Sequence, residues 1–296
     1  MTCPVCGGAN PHEAQFCTSC GVPLGSQGAP DPPEDLPGKL VARDISGLIQ
    51  ETFRVYRAGF QSFLLISLIP QAPLILLSLV PDSRSAAIEV LAVGVSLVLS
   101  ALASGAMVCA VSQHYLDRPI RAKGCFSRAW GRVMSLVLST AAFLLAIVGA
   151  VAPSLALSNA TAALAAVGAF ATIIGVPLAI YLAVNWFFFS ECIMLERQGP
   201  LASLWHSREL VKGGFWRVFG IGAVFAVIGI VGTVAAFAVS LVFEAASPVL
   251  GALVYAGAIT ALLPIMWIGE ILVYYDLRVR KHGYTIENLA QEMGEA

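Results

Sequence analysis

From residue 61 onward the chain is a series of long apolar runs separated by short polar stretches. The runs at 61–80, 88–115, 133–157, 163–189, 218–243 and 249–275 each approach or exceed the ~20 residues needed to cross a bilayer core. They predict six transmembrane helices. Prolines at 70, 73, 153, 177 and 264 fall inside the runs, where they are expected to kink a helix rather than end it. An amphipathic segment precedes each pair of runs. In the first, Ile45, Leu48, Ile49, Phe53, Tyr56 and Phe60 recur at helical spacing, apart from Gln50, Glu51, Arg54 and Arg57. In the second, Phe126, Trp130 and Val133 share one face and Arg121, Arg128 and Arg132 another. In the third, Leu201, Leu204, Trp205, Val211 and Phe215 line up opposite polar positions that include Ser203 and His206. Segments of this kind beside a span are expected to lie in the headgroup plane.

The three units cover 44–115, 119–189 and 200–275, which is 72, 71 and 76 residues. Equal element order and near-equal length predict an all-α polytopic membrane protein built from three parallel repeats, each an interfacial helix plus two spans. Two spans per unit make the copies parallel, unlike the inverted repeats of many transporters. Glycines at 149, 168, 175, 222, 229 and 257 are expected to favour close helix packing.

Composition agrees with a membrane protein: 58% of residues are hydrophobic and 12% charged, against roughly 25% charged in soluble domains. The distribution of charge adds an orientation. Sixteen of the seventeen Lys and Arg residues fall on one side of the six-span scheme, and only Arg84 on the other. By the positive-inside rule both termini are expected in the cytoplasm, with the chain in the cell (inner) membrane. The apolar spans imply contact with the bilayer, and the basic segments imply contact with anionic lipid headgroups. No nucleic-acid partner is expected.

The first 44 residues differ in kind. Cys3, Cys6, Cys17 and Cys20 form two Cys-x-x-Cys pairs ten residues apart, each followed by glycine at 7 or 21. Four thiolates at this spacing suit one tetrahedral zinc ion, and a filled set of four protein ligands makes the metal structural. Residues 1–24 are therefore expected to be a zinc ribbon whose folding energy comes largely from Zn2+. With Cys-Pro-x-Cys-Gly, Asn10, Phe16-Cys17 and Cys20-Gly21, the segment resembles the short zinc-ribbon modules that open many bacterial membrane proteins. Residues 25–38 carry four prolines and three acids and read as a solvated linker. The six-span domain is expected over 39–290, with 291–296 as a tail. Cys109, Cys125 and Cys192 are scattered in the membrane part and read as small buried hydrophobes.

Two further stretches are distinctive: LERQGPLASLWHSRELVKGGFWRVFGI from 195, and LVYYDLRVRKHGYTIE near the end. Over roughly 40–290 the chain resembles the bacterial glycerophosphoryl diester phosphodiesterase membrane domain, a set of six-span proteins. The pattern falls on Glu196, Gly199, Leu204, Ser207, Gly214, Trp216, Arg217, Tyr275, Asp276, Arg278 and Arg280. It departs at His206, where a basic residue is common, and at His282, where an acid is usual. The family name derives from fusions to a catalytic domain, and no stretch of about 250 residues is left here for such a barrel.

Ionisable and polar residues near span ends supply the remaining candidate site: His114, Asn185, Glu191, Glu270, Asp276 and Arg278, a possible polar cluster at the cytoplasmic mouth. No Gly-x-Ser-x-Gly, His-Glu-x-x-His or P-loop occurs, and no catalytic residues are expected. The sequence thus points to a non-catalytic scaffold or regulator whose ribbon binds a protein partner. The alternative is a transport or lipid-handling protein that uses the polar cluster.

Overall fold

A computed structural model describes residues 40–79, 85–158 and 162–294. The chain divides into two units, Met1–Leu36 and Pro37–Ala296, and the second holds everything described below. The four cysteines expected to form the ribbon, the expected linker and residues 159–161 lie outside the described residues.

Every regular element among the described residues is helical. Six helices are long and apolar enough to cross a membrane: α2 (Phe60–Ser78), α3 (Ala86–Tyr115), α5 (Val133–Ser158), α6 (Ala162–Asn185), α9 (Phe215–Glu244) and α10 (Pro248–His282). The chain is a multi-pass membrane protein. The described residues also form five shorter helices: α1 (Ile45–Ala58), α4 (Ala122–Trp130), α7 (Phe189–Met194), α8 (Pro200–Val211) and α11 (Ile286–Glu292). The heaviest packing joins α2 to α3, α5 to α6 and α9 to α10, while α10 and α3 bridge the three hairpins. The expected prolines all sit inside helices.

Two expected boundaries move. Span four breaks after Asn185 and resumes as α7. The break is held by Ser207 of α8, whose Oγ donates to Asn185 O at 2.8 Å and accepts the Phe188 N–H at 3.0 Å. Backbone groups freed by the interruption therefore keep partners, as a low-dielectric surrounding demands. Span six, expected to end at 275, runs on to His282. An Asp276–Arg280 pair at i,i+4 supports the extension. Gly283 then stops the helix at φ 59°, a left-handed conformation suited to glycine.

The core lies at the end where α1, α4, α7, α8 and α11 gather, hereafter the loop end. Met107, Phe63, Leu136, Phe188, Ile268, Ile271 and Tyr274 are fully buried there. Towards the other end Val90, Leu91, Leu145, Ile173 and Val242 are exposed, a surface that suits hydrocarbon rather than water.

The short helices α1, α4 and α8 each turn a mixed face inward. In α4 the inner face is Cys125 and Ala129, and Trp130 is 67% exposed. In α8 Ser203, Leu204, Ser207, Leu210 and Val211 face in, whereas Leu201 and Trp205 face out. In α1 the inner face is Leu48, Glu51, Thr52 and Val55. Beside lipid the outward surface is stable when apolar, and small polar side chains turn inward to bond neighbouring backbone. Ser203 does so, packing its hydroxyl on Ser139, which itself donates to Pro200 O at 2.8 Å.

Candidate functional site

Polar side chains from distant parts of the sequence converge at the loop end, in two separate centres. Asp276 of α10, 2% exposed, anchors the first. Its Oδ1 accepts the backbone N–H of Arg43 at 2.9 Å, and its Oδ2 accepts Arg217 Nε and Nη2 at 3.0 and 2.9 Å. Arg280 Nε reaches both oxygens at 3.0 Å. The same two arginines also donate to Arg43 O, at 2.6 and 2.8 Å. The chain just ahead of α1 is therefore held through both its N–H and its carbonyl. The Arg43 guanidinium lies 3.7 Å from Glu51, which pairs with Arg54 at 2.7 Å and accepts from Tyr115 OH at 3.1 Å. Asp44 caps α1, accepting from Gly47 N at 2.8 Å. Hydrogen bonds from Ser46 and Gly47 hold its carboxyl below the usual range.

Arg278 anchors the second centre. Its Nη1 donates to Glu292 Oε1 and Oε2 at 2.8 and 2.9 Å, and its guanidinium stacks 3.9 Å over the Tyr284 ring. Tyr284 OH donates to Glu292 at 2.6 Å, and burial pushes that hydroxyl well up from its ordinary value. Tyr274 OH donates to Glu196 at 2.7 Å, and Glu196 pairs with His206 Nε2 at 2.7 Å. Arg128 donates to Met293 O at 2.8 Å. Residues 286–293 thus fold back on the loop end.

The six residues expected to converge do not form one cluster. Asp276 and Arg278 head separate networks. Asn185 serves the helix break, its Nδ2 donating to Tyr181 O at 2.8 Å. His114 packs edge-on against Tyr115, with ring centroids 5.9 Å apart. Glu191 and Glu270 lie apart from the ion pairs. The reason is helical geometry: Asp276 and Arg278 are two residues apart on α10 and so point in different directions. Conversely, Arg43, Glu51 and Glu292 belong to the networks without having been named as site or family positions, and Glu196, Arg217 and Arg280, named only as part of the family pattern, join them. The Asp276–Arg280 and Glu51–Arg54 spacings were the local signals; Arg43 with Asp276, Arg217 with Asp276 and Glu196 with Tyr274 are joined across long sequence separations.

An apolar groove of about 350 Å³ runs between α6 and α9, lined by residues that include Ile180, Val184, Phe187, Phe219 and Ala223. At the loop end of the same two helices, Tyr181, Asn185, Arg208, Glu209, Lys212 and Phe215 line a polar pocket of about 210 Å³. Cys109, Cys125 and Cys192 are buried and not joined in disulfides. Among the described residues no three His, Cys, Asp or Glu side chains group to hold a metal ion.

Comparison of the chain with protein-family models, with curated proteins and with solved structures gave no match.

Proposed function

We propose that the protein is a non-catalytic membrane scaffold or regulator that presents a cytoplasmic zinc ribbon to a protein partner. The observation that carries this reading is the clamp on Arg43. The segment that leads into the membrane domain is tied by Asp276, Arg217 and Arg280 to two spans. A firm attachment at this point suits a membrane platform that displays or senses an N-terminal module. Cys3, Cys6, Cys17 and Cys20 would hold one structural Zn2+, for which four thiolates are a fitting donor set. The order of short helix and hairpin supports three parallel repeats, and the basic loop end supports cytoplasmic termini in the inner membrane. Membership of the six-span family named above is part of the same proposal. A non-catalytic role is supported by the use of polar groups in packing: Ser207 bonds backbone and His206 bonds Glu196.

Lipid handling is a second reading, favoured by the α6–α9 groove with the polar pocket at its end. Native mass spectrometry of the full-length protein in mild detergent tests both. The scaffold reading expects one zinc, lost in Cys17→Ser together with a co-purifying protein. A chain without zinc would end the ribbon assignment. A lipid retained at fixed stoichiometry, with no protein partner, would replace the scaffold reading by the second.

A further inference from the structure

The polar pocket at the loop end of α6 and α9 adjoins the apolar groove between the same two helices, and a chain of aromatic rings links them. Tyr181 of α6 packs against Phe215 of α9, with ring centroids 5.7 Å apart. Phe215 stacks in turn on Phe219, one turn further along α9, at 6.3 Å and 5° between ring planes. Tyr181 and Phe215 line the pocket, and Phe219 lines the groove. No lining residue of the groove carries a polar side chain. The stretch of α9 from Phe215 to Ala226 rises about 16 Å, close to one leaflet's half of a ~30 Å hydrocarbon core. Trp205 of α8 and Trp216 of α9 are 62% and 78% exposed, as suits amphipathic rings at the edge of a bilayer.

The pocket carries the charge that the groove lacks. Arg208 and Lys212 line it together with one acid, Glu209. Glu209 lies 3.6 Å from Lys212 with both side chains exposed, a pair that water weakens. Arg208 stacks on Trp205 at 5.5 Å and has no acid partner among the described residues. The C-terminus of α8 would by itself set bare carbonyl oxygens and the negative end of a helix dipole beside the pocket. Lys281 of α10 counters this, its Nζ donating to the carbonyl oxygens of Glu209 and Lys212. Three cations thus meet one acid, and the surplus is positive. Asn185, 5% exposed, adds an amide to the lining, held by its Nδ2 donating to Tyr181 O at 2.8 Å.

We infer that pocket and groove together bind a single phospholipid of net negative charge from the leaflet at the loop end, its phosphate against Arg208 and Lys212 and an acyl chain along the groove. A positive recess beside an apolar slot of one-leaflet length matches an amphiphile, and each half disfavours another occupant. Free phosphate makes no use of the groove. A zwitterionic lipid leaves the surplus charge unmatched, and an apolar partner helix leaves the cations bare. The site differs from the general attraction of basic segments for anionic surfaces in its defined slot for a chain and its one-to-one stoichiometry. It goes beyond the scaffold reading, with which it is compatible, and gives the lipid-handling reading its ligand class.

Native mass spectrometry of the full-length protein, titrated in mild detergent with phosphatidylglycerol or with phosphatidylcholine of equal chain length, tests the site. The wild type should bind one phosphatidylglycerol in preference to phosphatidylcholine. Arg208→Gln/Lys212→Gln should weaken phosphatidylglycerol binding about 30-fold, the effect of two basic residues beside an anionic headgroup. Arg57→Gln/Lys123→Gln removes the same charge from exposed positions elsewhere at the loop end and should leave binding unchanged. Equal losses in the two variants would overturn the inference, as would equal binding of the two lipids by the wild type. Full displacement by inorganic phosphate would assign the pocket to a free anion and overturn the lipid. A phosphatidylglycerol with a photoreactive acyl chain locates the molecule on the wild type without any substitution. Its adducts should map to α6 and α9, and adducts confined to other helices would overturn the site. Zinc and a protein partner, on which the scaffold reading depends, are untouched by these variants, so either reading can fail alone.

Discussion

Asp276 illustrates how one side chain at the loop end can set the order of several others. Its two oxygens receive a backbone N–H and two guanidinium groups, and those arginines in turn fix the Arg43 carbonyl. Replacing it by Asn keeps the shape but removes the charge that gathers them. Asp276→Asn should cost about 3 kcal/mol, the lower end for breaking a buried ion pair, because Arg217 and Arg280 can turn to water. The partly exposed Arg280 is worth less, and Arg280→Gln should cost under about 1 kcal/mol. Thermal melts in detergent compare the two. Equal losses would show that the clamp does not centre on the acid.

At the scale of helices, the glycines separate into those that hold a contact and those that face open space. A β-carbon on Gly175 would meet the Ala150 carbonyl oxygen, and one on Gly269 would meet the Phe225 ring at 2.5 Å. Gly149, Gly222 and Gly257 have nothing within 4 Å of that position. Close packing was expected of all six glycines named from the sequence, and it holds at Gly175 and at Gly229, where Met266 Sδ lies 3.2 Å away. Backbone cannot yield as a side chain can. Gly175→Ala should therefore push α5 from α6 and lower stability by about 1–3 kcal/mol, while Gly149→Ala stays neutral in the same melting assay. The outward Trp130 of α4 and Leu201 and Trp205 of α8 obey a related rule. A helical stripe of Leu and Trp reads as core in water, but next to lipid it belongs outside.

For the molecule as a whole, six spans place successive connections at alternate ends. Variants with one added cysteine test this: Lys123→Cys lies in the first turn of α4 at the loop end, and Ala246→Cys in the opposite α9–α10 turn. An impermeant maleimide on intact cells should label Ala246→Cys, and Lys123→Cys only after permeabilisation, as read by peptide mapping. The native membrane cysteines are buried and should stay unlabelled. Reversed labelling would invert the proposed orientation, and labelling of both from one side would exclude six crossings.

The number and approximate positions of the membrane helices were determined by the sequence, because a bilayer imposes a minimum apolar length that each stretch meets on its own. The candidate polar residues were visible for the same reason, each a costly exception within or beside an apolar run. Their grouping was decided by the tertiary structure. Arg43 meets Asp276 across 233 positions, Arg128 meets Met293 across 165, and Ser207 bridges a helix break that its own local pattern does not announce. Such pairings depend on which helix ends are brought side by side, and on which way each helix is turned about its axis. Local periodicity reports that an apolar stripe exists. Whether the stripe faces protein or lipid follows from the neighbours, whose freed backbone groups and charges must find partners where water is excluded.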